Sequence, residues 1–426
     1  MRRTRQFAIA TAAMLLVTTG CGSSGDRSGA VTINVLADGQ SDPAAMQPAI
    51  RLFERTHPDI RIKYSTVPFD QADTAVQSRL SQHDKSIDAY FVDQPRVANL
   101  AAQGFLLDLS SLVPQAKRDT LPASYAPGTY QDRLYSLPLW TSAQFLFYNK
   151  DLLANAGVAA PDLDPAHRWT WEEVVAAARK AQQAGAKWGL LFDQTDRYYQ
   201  LQPLAASAGG GFGIGGTDRL HPDIENSGWQ KAMSWYGALF KEGIAPRGID
   251  TSQMEPLFNS GKAAFIVAGA WEIQNGNAAK GLHFGVAPHP YFAGGSVAMP
   301  SDSWALGVNP FGAHRSQAID FVKFATLNEQ GNATTRQVSG DIPANRKAFA
   351  TYATGLDRAA KPAPGIGTLL RYELAHSVVH RPTSVGYTQF EDIMTDMFSN
   401  VRNGADAGDQ LHDASRQLSS AWAHLK

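Results

Sequence analysis

The stretch from Leu134 to Val158, LYSLPLWTSAQFLFYNKDLLANAGV, constrains the rest of the chain most. Its opening apolar run is cut at Pro138, where a strand ends or turns, because proline cannot donate to an inner ladder. Trp140, Thr141, Ser142 and Gln144 follow as a polar and aromatic patch, and a second extended run covers Phe145 to Tyr148. Asn149, Lys150 and Asp151 then open a helix that closes near Gly157. Two extended runs joined by a polar hinge predict a chain passing from one folded body to another. A ligand is expected where it passes. Length agrees, since 426 residues are too many for one ordinary core.

Upstream, VTINVLA (Val31 to Ala37) reads as a buried strand. Asp38, Gly39, Gln40 and Ser41 form a loop, and Asp42 with Pro43 starts a helix. Met46, Ile50 and Phe53 recur at helical spacing until His57-Pro58 stops it. Ile60 to Val67 is a second strand, about Gln71 to Gln82 a helix, and Ile87 to Val92 a third strand. This alternation predicts a mostly parallel sheet with right-handed crossovers. Such sheets bind ligands beyond the carboxyl ends of their strands. Asp38, Gln40, Asp93 and Gln94 stand at those ends and suit hydroxyl groups, although capping and loop polarity account for them equally well.

Downstream, WTWEEVVAAARKAQQAG is an amphipathic helix with Thr170 and Glu173 at capping-box spacing. Gly211, Gly213 and Gly216 satisfy G-x-G-x-x-G, but no strand precedes them and no good helix follows, so dinucleotide binding is excluded. A flexible rim loop is expected instead, with Phe212 as a lid contact. Ser227 to Glu242 is helical, Ala263 to Ala268 is a strand, and Gly269-Ala270-Trp271 turns at its end. Leu282 to Pro288 and Trp304 to Val308 read as strands. A helix follows from His314, and helical segments are expected at Gly365 to His376, Gln389 to Asn400 and Ala405 to Leu425.

Two of these segments carry a family resemblance. LPLWTSAQFLFYNKDLLANAGV, above all its tail YNKDLL…AG, resembles the segment by which solute-binding proteins of the maltose-binding type cross between lobes. F-x-x-G-K-A-A-F-x-x-x-G-x-W, from Phe258 to Trp271, is similar to a second stretch of that family. There the tryptophan stacks on the sugar and the glycine lets it approach. SGDIPANRKAF looks like the last crossing. The resemblance runs in order through most of residues 31 to 350 and fades afterwards. It implies a two-lobed α/β periplasmic-binding-protein fold, each lobe a mixed, mostly parallel sheet flanked by helices, with three interlobe crossings. Lobe 1 is expected from 31–142 plus 284–342, and lobe 2 from 143–283 plus 343–426.

The resemblance also implies a substrate-binding lipoprotein that delivers a carbohydrate to the transmembrane subunits of an ABC importer. The expected ligand is a di- or oligosaccharide, or an amino sugar, held by a monomer. The expected ligand-binding residues are Asp38, Gln40, Asp93, Gln94, Trp140, Ser142, Phe212, Trp271, Glu272, Asp302, Trp304 and Gly340. No cofactor or metal is implied. Arg381 in HRPTS reads as a surface arginine, with an acidic or amino-sugar substituent as its functional alternative.

Charge and composition narrow the classes further. A formal net charge of −1, with no long basic run after residue 30, excludes electrostatic capture of nucleic acid. Nine Trp and thirteen Tyr supply flat apolar faces with a polar edge, which suit sugar rings. The single cysteine, Cys21, rules out an intrachain disulfide. Arg2, Arg3 and Arg5 precede an apolar run, Phe7 to Thr19, of roughly 13 residues, short of the ~20 that span a bilayer. With Thr18, Thr19 and Gly20 before Cys21, this resembles a lipoprotein signal over residues 1–20, although Thr18 replaces the usual leucine. Residues 21–30 then form a flexible tether. The expected location is the outer face of the cytoplasmic membrane, at the cell surface or in the periplasm, held by the lipid alone.

Two other classes stay open on the residues. A glycoside hydrolase would take a carboxylate pair from Asp38, Asp93, Asp302 and Glu272. A peptide receptor would use the same cleft. There is no G-x-S-x-G or H-E-x-x-H, and His376 with His380, four apart, make a poor zinc site. Catalysis is therefore not expected.

Overall fold

The structure, a computed structural model, describes residues 29–39, 43–68, 71–335, 341–359 and 362–425. Cys21, Gln40 and Gly340 lie outside the described residues. Two principal sheets organise the chain. The first contains β1 (Val31–Asp38), β2 (Ile60–Val67), β3 (Ala89–Asp93) and β4 (Ser136–Pro138). The second contains β5 (Gln144–Asn149), β6 (Trp188–Phe192), β7 (Ala263–Gly269) and β8 (Phe284–Ala287). The last principal strand, β9 (Trp304–Val308), returns to the first sheet.

The strand orders are β2-β1-β3-β9-β4 and β8-β5-β7-β6. In the first sheet β1 runs parallel to β2 and β3, while β9 is antiparallel to both β3 and β4. In the second, β7 is parallel to β6, and β5 is antiparallel to β7 and β8. Each sheet is thus parallel apart from one reversed strand. The reversed strands, β5 and β9, are the ones that arrive from the other sheet. A strand reached through a helix runs toward the interlobe face, whereas a strand entering from that face must run away from it. The mixed, mostly parallel character expected from the sequence follows from this rule.

Three crossings join the halves. The first runs through Trp140 and Thr141, the second from Met299 to Trp304, and the third through Ile342-Pro343, which pairs antiparallel with Trp140-Thr141. The second crossing corrects an expectation. A boundary at residue 284 would put Phe284–Ala287 in lobe 1, yet this strand pairs with β5 at the edge of the second sheet. The chain leaves only after Met299-Pro300, which pairs with Val378-Val379.

Helix signals are realised locally. The Thr170 hydroxyl accepts from the Glu173 amide at 3.2 Å, and the Glu173 carboxylate accepts from the Thr170 amide at 2.7 Å, completing the capping box. That helix, Trp171–Gln183, buries Trp171, Val174, Ala177, Ala178 and Ala181 against the second sheet. The C-terminal helices Tyr387–Asn403 and Ala407–Trp422 join the same core through Phe390, Met394, Phe398, Leu411, Leu418 and Trp422. Helix Ile366–His376 is fastened to the second half by a buried ion pair. There Arg168 donates to Glu373 at 2.7 Å and to the His289 carbonyl at 2.7 Å. Among the described residues no helix is long and apolar enough to cross a membrane.

Candidate ligand-binding site

The strand directions decide where the site lies. Carboxyl ends of the parallel strands and amino ends of the reversed strands meet at one interlobe face. From the first sheet this brings Asp38, Asp93 and the Asp302–Trp304 approach to β9. From the second it brings Ser142, Gln144, Asp193 just past β6, and Gly269 with Trp271 just past β7. The two sets touch. Ser142 Oγ donates to the Asp302 carbonyl, and Tyr199 donates to Ser142 Oγ at 2.8 Å. At the hinge the Thr141 and Ser301 hydroxyls lie 3.1 Å apart.

Arg381 is the hub of this face and corrects the surface reading: it is only 8% exposed. Its guanidinium grips Asp93 through two nitrogens, at 2.7 and 2.5 Å, in the bidentate geometry that favours arginine. Its backbone amide donates to Asp302 at 2.6 Å, and its Nη1 lies 3.8 Å from Glu391. The guanidinium carbon stands 5.4 Å from the centre of the Tyr199 ring, within cation–π reach. His380 is not on a helix face shared with His376, because the helix ends at His376; His380 Nδ1 meets Asp302 Oδ1 instead. These bonds hold Asp302 at φ 94°, a left-handed conformation unusual for a non-glycine residue. Strain of this kind gathers at ligand clamps.

Beside this hub Arg96, also absent from the sequence expectations, ties the halves a second time. It pairs with Asp73 at 2.9 Å in the first half and with Glu391 at 2.6 Å in the second. Nearby, Asn99 donates to the Val385 carbonyl at 2.6 Å.

Trp271 begins the helix Glu272–Ala278 and is half-buried. Its indole N–H donates to Asp193 at 3.0 Å, and its ring lies against Gly269. A Cβ on Gly269 would stand 2.2 Å from that ring, so only glycine permits this pose. Gly269→Ala is expected to turn the indole out of place and weaken ligand binding roughly fivefold, as one stacking contact is worth about 1 kcal/mol. Ligand titration followed by tryptophan emission checks it, and unchanged affinity would mean the indole takes no part.

Asp193 and Glu255 lie at the indole N–H, and Glu272 is buried behind them. Burial pushes the Asp193 carboxyl up to about 8, with Glu255 adding repulsion. Burial likewise pushes Glu272 up to about 9, helped by Glu255 and Asp193. Glu255, raised by burial, accepts from Asn275 at 2.9 Å. Asp193 and Glu272 are therefore neutral at pH 7. The unfolded chain releases these protons near pH 4, while the folded chain holds them to pH 8–9. The folded form binds more protons across that window, so their stabilising share is full below pH 4 and is lost as pH rises through 8–9. Glu272→Gln should flatten the fall in Tm between about pH 5 and about pH 9. An unaltered slope would show that Glu272 is ionised throughout.

The remaining expected residues divide. Gln94 is turned inward: its amide donates to the Ser124 carbonyl at 2.9 Å and accepts from the Ser303 amide at 3.0 Å. It braces the site and has little left for a ligand. Trp140 is also inward, 2% exposed, with its N–H on Thr335 and its ring edge-on to Phe91. Glu272 is fully buried beneath its neighbour, since consecutive residues at a helix start point apart. Trp304 is half-buried against Phe91. Asp38 is buried at the end of β1. Phe212 is 44% exposed, but the expected flexible loop is an ordered turn leading into a hairpin, Gly213–Gly215 against His221–Asp223, and the Phe212 carbonyl accepts from Tyr198 at 2.6 Å.

Sequence reasoning missed Asp193, Tyr199 and Arg96 and misplaced Arg381. The run DQTDRYYQ directly after β6 was the available signal for the first two, lying at the carboxyl end of a parallel strand.

Two sheets bonded across a shared face by paired charges, with strained backbone and a half-buried indole there, define a two-lobed receptor that encloses a small solute. The chain belongs to the bacterial extracellular solute-binding proteins, whose family model matches residues 37–332. It is 25% identical to the mannitol-binding protein of Pseudomonas aeruginosa, over 91% of this chain and 92% of that one. It is 30% identical to the maltodextrin-binding protein MdxE of Bacillus subtilis over 48% of each. Among solved structures, an ABC substrate-binding protein of Listeria monocytogenes in complex with cycloalternan superposes with a TM-score of 0.79 at 22% identity, covering 91% of this chain and 98% of that one.

Proposed function

We propose that this chain captures a carbohydrate between its lobes and delivers it to an ABC importer. The observation that carries the reading is the half-buried Trp271 indole bonded to Asp193, a carboxyl kept neutral by burial. Neutral acids donate as well as accept, which suits hydroxyl groups. The cations of the face are already matched, Arg381 by Asp93 and Asp302 and Arg96 by Asp73 and Glu391. A phosphate-bearing solute would need a cation not already paired, so an uncharged polyhydroxylated ligand is favoured over a sugar phosphate. The names of curated relatives, which bind mannitol and maltodextrin, support the same class. Asp38, Asp93, Ser142, Tyr199 and Trp271 are the ligand-facing residues of this proposal, with Phe212 at the rim. An amino sugar is its cationic variant, with Glu255 as the acid beside the indole. Anchoring through Cys21 at the outer face of the cytoplasmic membrane, as a monomer, completes it.

Thermal shift against mono-, di-, oligo-, amino- and phospho-sugars tests the reading, because a ligand of the folded state raises Tm by mass action. A rise with neutral oligosaccharides and none with phospho-sugars is expected. Stabilisation by peptides alone would overturn it.

A further inference from the structure

Apart from the three crossings, one patch of the first half is bonded directly to one patch of the second. Arg96 ends the short helical turn Gln94–Arg96, and Asn99 lies on helix Val97–Ala102, whose Val97 and Leu100 pack in the first half. Opposite them stand Val385, Thr388 and Glu391, at the start of helix Tyr387–Asn403, which packs on the second. Arg96 Nη1 donates to the Thr388 hydroxyl at 3.2 Å and Nη2 to Glu391 at 2.6 Å, while Asn99 donates to the Val385 carbonyl at 2.6 Å. A rotation about the crossings that parts the halves at this face lengthens all three bonds together.

We propose that Arg96 and Glu391 form an electrostatic clasp that draws the two halves together, so that closure of this receptor is set by ionic strength as well as by its solute. The inference goes beyond the carbohydrate reading and holds whatever the solute is. Each arm of the clasp is fixed by its own half. Asp73, in the same half as Arg96, stands 2.9 Å from its Nε, and Tyr387, one turn earlier on the helix of Glu391, donates to that carboxylate at 3.1 Å. Closing therefore costs these side chains little freedom. The pair is also poorly solvated, with Arg96 13% and Glu391 20% exposed, so it is screened less than an ion pair on open surface. The Arg96–Asp73 pair differs, because both its members belong to one half and Asp73 is 46% exposed. It survives opening and serves to aim the guanidinium. With the clasp favouring closure, part of the closed population exists before a solute arrives, and the solute has less of the change to drive.

The test is small-angle X-ray scattering of the whole protein without solute, in NaCl from about 0.05 M to about 1 M, where the screening length falls to about 3 Å. The wild type is compared with Arg96→Gln, Glu391→Gln and the double variant, each checked for a cooperative melt. The radius of gyration of the wild type should rise with salt. Each single variant should start at a larger radius than the wild type and lose most of the salt response. The double variant should match the singles, because two residues that act as one pair do not add. Where a charge variant fails to fold, Thr388→Val takes its place, since it removes one bond of the clasp and leaves every charge. A wild-type radius indifferent to salt, or variants that match the wild type, overturns the clasp. So does a double variant whose shift is the sum of the singles. None of these results bears on which solute is captured, so the carbohydrate reading stands or falls separately.

Discussion

Arg381→Met is expected to cost about 3–5 kcal/mol of stability and to weaken ligand binding by at least roughly tenfold. The arginine is buried, and its partners Asp93 and Asp302 lose their counter-charge together. The side chain of Asp302 is 1% exposed, so solvent cannot take the place of the guanidinium. Asp93 ends a strand of the first sheet, whereas Arg381 sits between two helices that pack on the second. Losing the pair therefore both destabilises the chain and shifts the halves away from the ligand-bound arrangement. Arg381→Lys keeps the charge but not the two-pronged geometry, and should recover only part of the loss. Asp93→Asn added to Arg381→Met should recover some stability, because one uncompensated acid is removed. Denaturant melts and ligand titration measure the two effects separately. An Arg381→Met protein with unchanged Tm and Kd would show that the hub has no energetic role.

Arg168→Met should cost a similar ~3–5 kcal/mol yet leave the ligand Kd of the folded protein unaltered. Its side chain is 4% exposed and that of Glu373 0% exposed, so the pair is as dry as the hub. The difference lies in what it joins. Arg168, His289 and Glu373 all belong to the second half, and the pair fixes helix Ile366–His376 to it. One Glu373 oxygen already lacks a partner, and removing Arg168 strands the other. The midpoint of urea unfolding should fall with its slope m unchanged. A parallel loss of affinity would mean that this staple reaches the site.

The two sheets were legible because buried parallel strands and amphipathic helices leave periodic apolar patterns, from VTINVLA through IRIKYSTV to AAFIVA. The carboxyl-end rule then brought Asp38, Asp93 and Trp271 to one face. What the pattern lacked was partner choice. LHFGVAP reads as a strand for either sheet, and only the free edge of β5 decides that it stays in the second. Gln94 follows Asp93 directly, but the chain turns into a short helical turn there, so one residue meets the interlobe face and the next is turned inward. Arg381 was unreadable for a different reason. Its main partner is 288 positions away, and no local pattern distinguishes a buried arginine from a solvated one when the neutralising acid is that distant.

The placement of β9 has a consequence for how such a chain reaches its native state. This strand lies between β3 and β4, yet it is synthesised after every strand of the other sheet. Until residue 304 has emerged, β3 and β4 each present an unsatisfied edge, and the N-terminal half cannot close its own core. Maturation is therefore late and concerted: the earlier half keeps open strand edges until the later one arrives.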